Sequence, residues 1–239
     1  MNLIAIDLET TGLDPKKDRI IEIAAIKVKD GQIVDTFETF IQPGRSLVER
    51  VTQITGIRDE DLVKAPKIQD KLQELLVFLE DYPLLGHSLL FDFSFLKKAF
   101  VNEGLSFEKN GIDTLRIARC YLPEMEKKTL PYLCQQFEIP HEPHRAYADA
   151  LACLQLYEKF ITQFGNRDEG KLFEPIPLVY QAKKEGPITK AQKERLEKAL
   201  TLHNIQPEYE ISMLTKNEAS RLLDEIYASY GRLISKADC

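Results

Sequence analysis

The segment LIAIDLETTG, residues 3–12, constrains the fold of this chain more than any other part of the sequence. Its apolar start predicts a buried strand, Leu3–Glu9, in which residues two apart point to the same face. Asp7 and Glu9 therefore emerge side by side at the carboxyl end of that strand. Two carboxylates held together at the edge of a core repel each other, so a positive charge or a retained proton must compensate for them.

The remaining periodic segments predict an α/β domain. Two β-rich runs, Ile20–Lys29 and Gln32–Ile41, are joined by an Asp-Gly pair that signals a hairpin, so the first three strands form a meander. Short strands are expected at Pro83–Gly86 and Gly111–Thr114. Helical spacing predicts helices at Lys67–Glu80, Phe91–Asn102, Leu115–Tyr121, Thr129–Phe137 and Arg145–Phe164. Strands followed by helices that alternate with strands indicate a layered sheet-and-helix architecture.

Composition divides the chain into three parts. We expect a domain at residues 1–164, a linker rich in Pro and Gly at residues 165–187, and a small helical module of uncertain role at residues 188–239. A short strand is expected within the linker at Leu178–Gln181. In the module, a Thr stands three residues before a Gln or Glu ahead of each of two helices, which is the capping-box pattern. The pairs are Thr189 with Gln192 and Thr215 with Glu218.

Charge and composition exclude several classes of protein. The formal net charge of -6 argues against a broad basic surface that coats duplex DNA. The chain has no apolar run of membrane length and no signal-peptide pattern at its N-terminus, and its cysteines form no CxxC pair. We therefore expect a cytoplasmic protein without membrane contact, with reduced thiols at Cys120, Cys134, Cys153 and Cys239.

Asp92, His144 and Asp149 also carry candidate chemistry. Asp92 and His144 each have an ordinary structural interpretation as well. Asp92 lies among phenylalanines at a helix start, where an acid usually caps the helix. His144 precedes Asp149 by five residues, so a loop can bring an imidazole close to a carboxylate on the long helix. Taken alone, His144 is an exposed loop histidine, and the pair His141 and His144 is a weak HxxH metal pattern. Only their combination with the first strand is informative.

In combination, the motifs DxETTG, GH with FD, and HxAxxD resemble the DEDDh superfamily of DnaQ-like 3′–5′ exonucleases, which includes the proofreading subunits of bacterial replicative polymerases. The resemblance covers about Met1–Phe164, with further matches at Ile54–Ile57, Ile112–Arg119 and Thr129–Ile139. It implies a ribonuclease H-like fold, with a mixed sheet of about five strands flanked by helices. That fold agrees with the order of elements described above.

The resemblance also implies roles for particular residues. Four carboxylates would hold two divalent cations, Mg²⁺ or Mn²⁺, for which oxygen ligands are suited. These carboxylates belong to Asp7, Glu9, Asp92 and Asp149. His144 would be the general base, because an imidazole exchanges its proton near neutral pH. Contacts with the terminal nucleotide are implied for Thr10, Thr11, Leu13, Ile54, Ile57 and Phe91, although the two isoleucines could equally be core residues. Ser88 departs from the Asn that the family often has after the motif histidine.

The sequence thus predicts a metal-dependent 3′–5′ exonuclease that acts on single-stranded or frayed DNA, with RNA left open as a substrate. It would release nucleoside 5′-monophosphates, and a polymerase or repair protein is a candidate partner. The alternative is a non-catalytic nucleic-acid-binding or partner-docking module of the same fold. A non-catalytic descendant could lose one of the acids, and none is missing here, so the enzyme is favoured.

Overall fold

The computed structural model describes residues 1–231, except the side chains of residues 168 and 169. Six strands form one mixed sheet. They are β1 (Leu3–Thr10), β2 (Ile20–Lys29), β3 (Gln32–Phe40), β4 (Leu84–Gly86), β5 (Asn110–Asp113) and β6 (Ile176–Pro177). Their order across the sheet is β3-β2-β1-β4-β5-β6. The first three strands are antiparallel, β4 and β5 run parallel to β1, and β6 is antiparallel to β5.

The five main strands lie where the sequence predicts them, and the sixth does not. The expected strand at Leu178–Gln181 is wrong in position, because the ladder pairs Asn110 with Pro177 and Gly111 with Ile176. Proline has no backbone N–H and is confined to sheet edges, so Pro177 suits this short edge strand. The chain then leaves the sheet, and the side chain of Leu178 packs against the core.

Within the described residues the chain forms nine α-helices. They are α1 (Glu49–Thr55), α2 (Asp59–Leu62), α3 (Ile68–Leu79), α4 (Leu90–Asn102), α5 (Thr114–Tyr121), α6 (Leu130–Gln136), α7 (Ala146–Phe164), α8 (Lys190–Leu202) and α9 (Lys216–Tyr230). Two 3₁₀ helices lie at Arg167–Phe173 and Ile211–Met213. The sequence does not predict α1 and α2. The four residues of α2 are too few to show a 3.6-residue period, and in α1 only Val51 and Thr55 are buried.

Alternation along β1 divides the core into two layers. Leu3 and Ala5 are buried in a cluster with residues of α7, such as Leu154. Ile4 and Ile6, on the opposite face, are buried with residues of α3 and α4. Each fully buried aliphatic side chain of this kind contributes about 1.5–3 kcal/mol. By the same alternation, the side chains of Asp7 and Glu9 point toward the α7 face of the sheet. The sequence predicts that these two side chains share one face.

The chain divides into two compact units. The first comprises residues 1–43 and 47–182, so it includes most of the segment expected as a linker. In the second, which contains residues 44–46 and the chain from residue 183, α8 and α9 pack through Leu196, Leu200 and Leu223. Residues 232–239 of the predicted module, with Cys239, lie outside the described residues.

Both predicted capping boxes are present in the second unit. At the start of α8, the N–H of Gln192 donates to Thr189 Oγ1 at 3.2 Å, and the N–H of Thr189 donates to Gln192 Oε1 at 3.1 Å. At the start of α9, Thr215 and Glu218 make the equivalent pair of hydrogen bonds, at 3.3 and 2.8 Å. These bonds satisfy N–H groups that a helix start leaves without a partner inside the helix.

Two expectations from composition can be compared with the structure. Cys120, Cys134 and Cys153 are free thiols. Among residues 1–231, no helix combines the length and the apolar character needed to cross a membrane. The cytoplasmic location stays a prediction.

Candidate active site

Three carboxylates meet at the carboxyl end of β1. Asp7, Glu9 and Asp149 each place an oxygen within 4.8 Å of the others. Glu9 pairs with Glu22 across the β1–β2 ladder, and the register then shifts so that Thr10 pairs with Ile20. Such a bulge re-aims side chains locally and is common beside active sites. The two strand acids therefore face the first turn of α7, which carries Asp149.

Asp92 completes the acidic group from the other helical layer. It is 3% exposed in the first turn of α4, and its Oδ1 accepts the backbone N–H of Leu8 at 3.1 Å. This hydrogen bond ties the start of α4 to the end of β1. The four predicted acids and His144 line one pocket, and its other lining residues are Leu8, His87, Phe91, Leu130 and Pro131.

The turn before α7 places His144 at the pocket. His144 has a left-handed backbone conformation, with φ at +70°, which histidine adopts more often than most residues. Its N–H donates to Asp149 Oδ2 at 2.7 Å, and the N–H of Arg145 donates to the same oxygen at 3.2 Å. The Asp149 carboxylate thus holds the turn, while the imidazole of His144 is exposed at the pocket.

Two neighbours of these acids were missed at the level of the sequence. The ring Nε2 of His141 lies 2.7 Å from Asp149 Oδ1, and the side chain of His141 is 4% exposed. Glu22 is 7% exposed and accepts the backbone N–H of Ala146 at 3.1 Å. The HxxH spacing was a signal for His141, but it pointed to metal ligation. The signal for Glu22 was a lone acid inside the apolar run IIEIAA.

Burial and mutual repulsion raise the pKa values of Asp7, Glu9 and Asp92. Burial, together with the charges of Asp92 and Asp149, raises the pKa of Asp7 well above its ordinary value. Burial likewise raises the pKa of Asp92. Burial and the nearby Asp149 raise the pKa of Glu9 to about 8, although Arg145 opposes this shift. A divalent cation would remove the repulsion, and carboxylate oxygens are the ligands that Mg²⁺ and Mn²⁺ prefer, so the residues present fit such ions.

These shifts predict how stability depends on pH without metal. Between the ordinary value of 4.5 and about 8, Glu9 keeps a proton in the folded state that it releases in the unfolded chain. The folded state binds more protons in this window, so the free energy of unfolding falls as pH rises. We expect the Tm in EDTA to fall between about pH 5 and pH 8, and the rise in Tm on adding Mn²⁺ to grow over the same range.

Thermal denaturation of the protein, with EDTA or with Mn²⁺, checks this expectation. Glu9→Gln is the matched variant, because it removes the carboxyl group whose proton is at issue, and it should make the fall in Tm less steep. A metal-free Tm that rises steadily from pH 5 to pH 8 would contradict it.

His87 makes hydrogen-bond contacts that support one wall of the pocket. Its Nε2 donates to the carbonyl oxygen of Lys128 at 2.7 Å, which a neutral ring can do, and Nδ1 lies 2.9 Å from Thr114 Oγ1. Burial lowers the pKa of His87, which favours this neutral ring. The carbonyl of Lys128 lies just before α6, whose first residues, Leu130 and Pro131, line the pocket.

Ser88, the departure from the family motif, has a left-handed backbone conformation with φ at +68°. Its N–H donates to Asp113 Oδ1 at 2.9 Å, and the residue is exposed. Asn adopts this conformation more readily than Ser. We expect Ser88→Asn to raise the free energy of unfolding by up to about 1 kcal/mol. Urea denaturation checks this, with Ser88→Ala as the control; equal effects of the two changes would contradict it.

The predicted substrate-contact residues lie in different environments. Phe91 lines the pocket, and Leu13 is 84% exposed in the loop after β1. Thr10, the last residue of β1, donates through Oγ1 to the carbonyl of Gly12 at 2.7 Å, and in the loop Thr11 Oγ1 donates to Asp18 at 3.3 Å. Substrate contact for all these residues stays a prediction.

The two isoleucines, for which the sequence left a core role open, differ from each other. Ile57 is 2% exposed and belongs to a small cluster with Ile21, Val51 and Leu62. Ile54 is 44% exposed. Burial leaves Ile57 little surface to offer a substrate, whereas Ile54 is accessible.

Comparisons with known proteins find relatives of similar sequence. The family model described as RNase_T, exonuclease, matches residues 4–157. The chain is 40% identical over 163 residues to the DNA polymerase III PolC-type of Thermotoga petrophila, a match that covers 66% of this chain and 12% of the relative. The PolC-type of Halalkalibacterium halodurans is 38% identical over 167 residues, covering 69% and 12%. The chain therefore spans about an eighth of the length of these relatives.

Solved structures share the fold at low sequence identity. Exonuclease I matches with a TM-score of 0.62 and 21% identity, covering 72% of this chain and 42% of that chain. The nuclease domain of 3′hExo, a DEDDh family member bound to rAMP, matches with a TM-score of 0.61 and 17% identity, covering 74% and 97%. These matches confirm the predicted ribonuclease H-like exonuclease fold.

Proposed function

Since the chain belongs to the exonuclease family and carries a DnaQ-like 3′–5′ exonuclease domain, we propose that its substrate is the 3′ end of single-stranded or frayed DNA. One observation carries this proposal. Asp7, Glu9 and Asp149 meet within 4.8 Å, in a pocket that Asp92 and His144 also line. A binding module without turnover would not need the complete set.

Exonucleases of this kind use divalent metal ions. We propose two ions, Mg²⁺ or Mn²⁺, held by Asp7, Glu9 and Asp149, with Asp92 contributing directly or through water. When bound, they supply positive charge for the attacking and leaving oxygens of an in-line displacement at phosphorus. The raised pKa values of the acids support this proposal, because the cluster is unfavourable when it is ionised without a cation.

His144 is proposed as the general base. Its imidazole is exposed at the pocket, and its backbone is held by the hydrogen bond to Asp149. A water oxygen attacks the last phosphorus and loses a proton to His144, while the bond from phosphorus to the 3′ oxygen of the preceding nucleotide breaks. That oxygen takes a proton from solvent, and a nucleoside 5′-monophosphate leaves.

The relatives suggest the setting in which this reaction takes place. They are named as DNA polymerases of the PolC type, so we propose DNA rather than RNA as the polymer, and a polymerase or repair protein as the partner. The chain corresponds to about an eighth of the length of those proteins.

The test uses 5′-labelled single-stranded DNA and RNA of one sequence, with Mg²⁺, Mn²⁺ or EDTA. We expect a ladder that shortens from the 3′ end of the DNA, depends on metal, and stops in EDTA. A faster ladder on RNA would overturn the choice of polymer. Intact DNA and RNA in every lane, with a folded protein, would overturn the proposed function.

A further inference from the structure

We propose that Glu22 and Arg145 form a positioning pair that fixes the start of α7 and so aims Asp149 and His144 at the active-site pocket. The inference rests on the proposed function, because it assigns these residues to the geometry of that site. Neither residue belongs to the predicted acidic group, and neither lines the pocket among the described residues.

Both carboxylate oxygens of Glu22 accept hydrogen bonds from residues at the start of α7. Oε1 accepts from Nη2 of Arg145 at 2.9 Å. Oε2 accepts the backbone N–H of Ala146 at 3.1 Å and lies 3.5 Å from Nε of Arg145. Because both oxygens are occupied by donors, Glu22 differs from its cross-strand neighbour Glu9, whose oxygen lies within the metal-fitting group.

Ala146 is the first residue of α7, and the first N–H groups of a helix have no partner within it. No side chain at the N-cap position, Arg145, satisfies them. The acceptor comes instead from β2, 124 residues earlier in the chain. Glu22 is therefore a tertiary cap that locks the first turn of α7 to the sheet carrying Asp7 and Glu9.

That first turn contains the parts of the site that α7 contributes. The N–H groups of His144 and Arg145 both donate to Asp149 Oδ2. A shift of the turn would therefore move Asp149 and His144 together, relative to the strand acids. Small displacements of this kind are costly, because catalytic groups must be held within a fraction of an ångström of their working positions.

Arg145 also limits the repulsion that a fifth carboxylate would add. Glu22 has only 7% of its surface exposed, beside an already acidic pocket. The guanidinium pairs with it and lies 5.6 Å from the ring centroid of Phe40, a distance at which cation–π attraction holds the arginine in place. Because the planar guanidinium can donate through two nitrogens at once, lysine is a poor replacement.

The test compares Glu22→Gln with the matched control Glu38→Gln. Glu38 is an exposed acid on β3 whose charge also acts on Arg145. We expect Glu22→Gln to lower kcat by about 10–100-fold, with KM for single-stranded DNA changed less than about threefold. Mn²⁺ affinity, measured by calorimetry, should fall with kcat. Glu38→Gln should leave both quantities within about twofold of wild type.

A double-mutant cycle tests whether the two residues act as a pair. Arg145→Ala should lower kcat to a similar extent, and Glu22→Gln with Arg145→Ala should cost no more than the worse single change. Arg145→Lys should restore only part of the loss. If Glu22→Gln does not fold, as judged by circular dichroism, Arg145→Ala and Arg145→Lys carry the test.

Equal behaviour of Glu22→Gln and Glu38→Gln would overturn the proposal, as would additive losses in the double mutant. If the wild-type protein shortens neither polymer, the proposed function fails. The comparison of Mn²⁺ affinities still decides the positioning role in that case, because it does not depend on turnover.

Discussion

Replacing Asp7 with Asn will abolish turnover, lowering kcat by about 10³-fold or more, and will leave the protein folded. The amide keeps the shape of the side chain but removes a negative charge that the metal ions require. Burial and neighbouring carboxylates already raise the pKa of Asp7, so the fold does not depend on its ionised form. Without metal, Asp7→Asn should melt at or above the wild-type temperature at neutral pH.

Gel assays of 3′ shortening and thermal denaturation with and without Mn²⁺ measure the two halves of this prediction. The rise in Tm on adding Mn²⁺ should be smaller in the variant, since one ligand is gone. Asp35→Asn, at an exposed position on β3, is the control for loss of one charge. Normal activity of Asp7→Asn would remove Asp7 from the mechanism.

Replacing His144 with Ala should lower kcat by about 10²–10⁴-fold, the usual contribution of a general base. The side chain is exposed, so removing it leaves no buried cavity. The backbone at this position has φ at +70°, where Ala is strained. Mn²⁺ affinity distinguishes a distorted site from the loss of the base, and it should be nearly unchanged. Single-turnover rates between about pH 5.5 and pH 8.5 give the measurement, and the dependence near neutrality should flatten.

Glu142→Ala, two residues earlier in the same exposed loop, is the matched control and should keep the wild-type rate and pH profile. An unchanged pH–rate profile in His144→Ala would rule out the base role. A fall in Mn²⁺ affinity as large as the fall in kcat would instead assign His144 to the metal site.

The features predicted from the sequence are those with a local signal. The pairing of Asp7 with Glu9 on one face follows from the two-residue period of a strand. The capping boxes at Thr189 and Thr215 follow from a spacing of three residues. Asp149 could be placed beside the strand acids because the family motif supplied the long-range contact that periodicity alone does not give.

The features that were missed depend on contacts between distant parts of the chain. In the sequence, Glu22 looks like any polar residue on a strand. The β1–β2 register places it beside Glu9, and Arg145 at the start of α7 donates a hydrogen bond to it. His141 reaches Asp149 only through the path of the loop before α7. No period or spacing in the sequence encodes either contact.

The link between Glu22 and Ala146 also bears on how the protein is made. A ribosome completes β2 well before it adds Ala146, 124 residues later. Until then the growing chain carries Asp7, Glu9, Asp92 and, at the end, His144, but it lacks α7 and with it Asp149. Chains released early, by stalling or by a premature stop, are therefore expected to be inert toward nucleic acids, so that nuclease activity arises only in chains whose synthesis has passed α7.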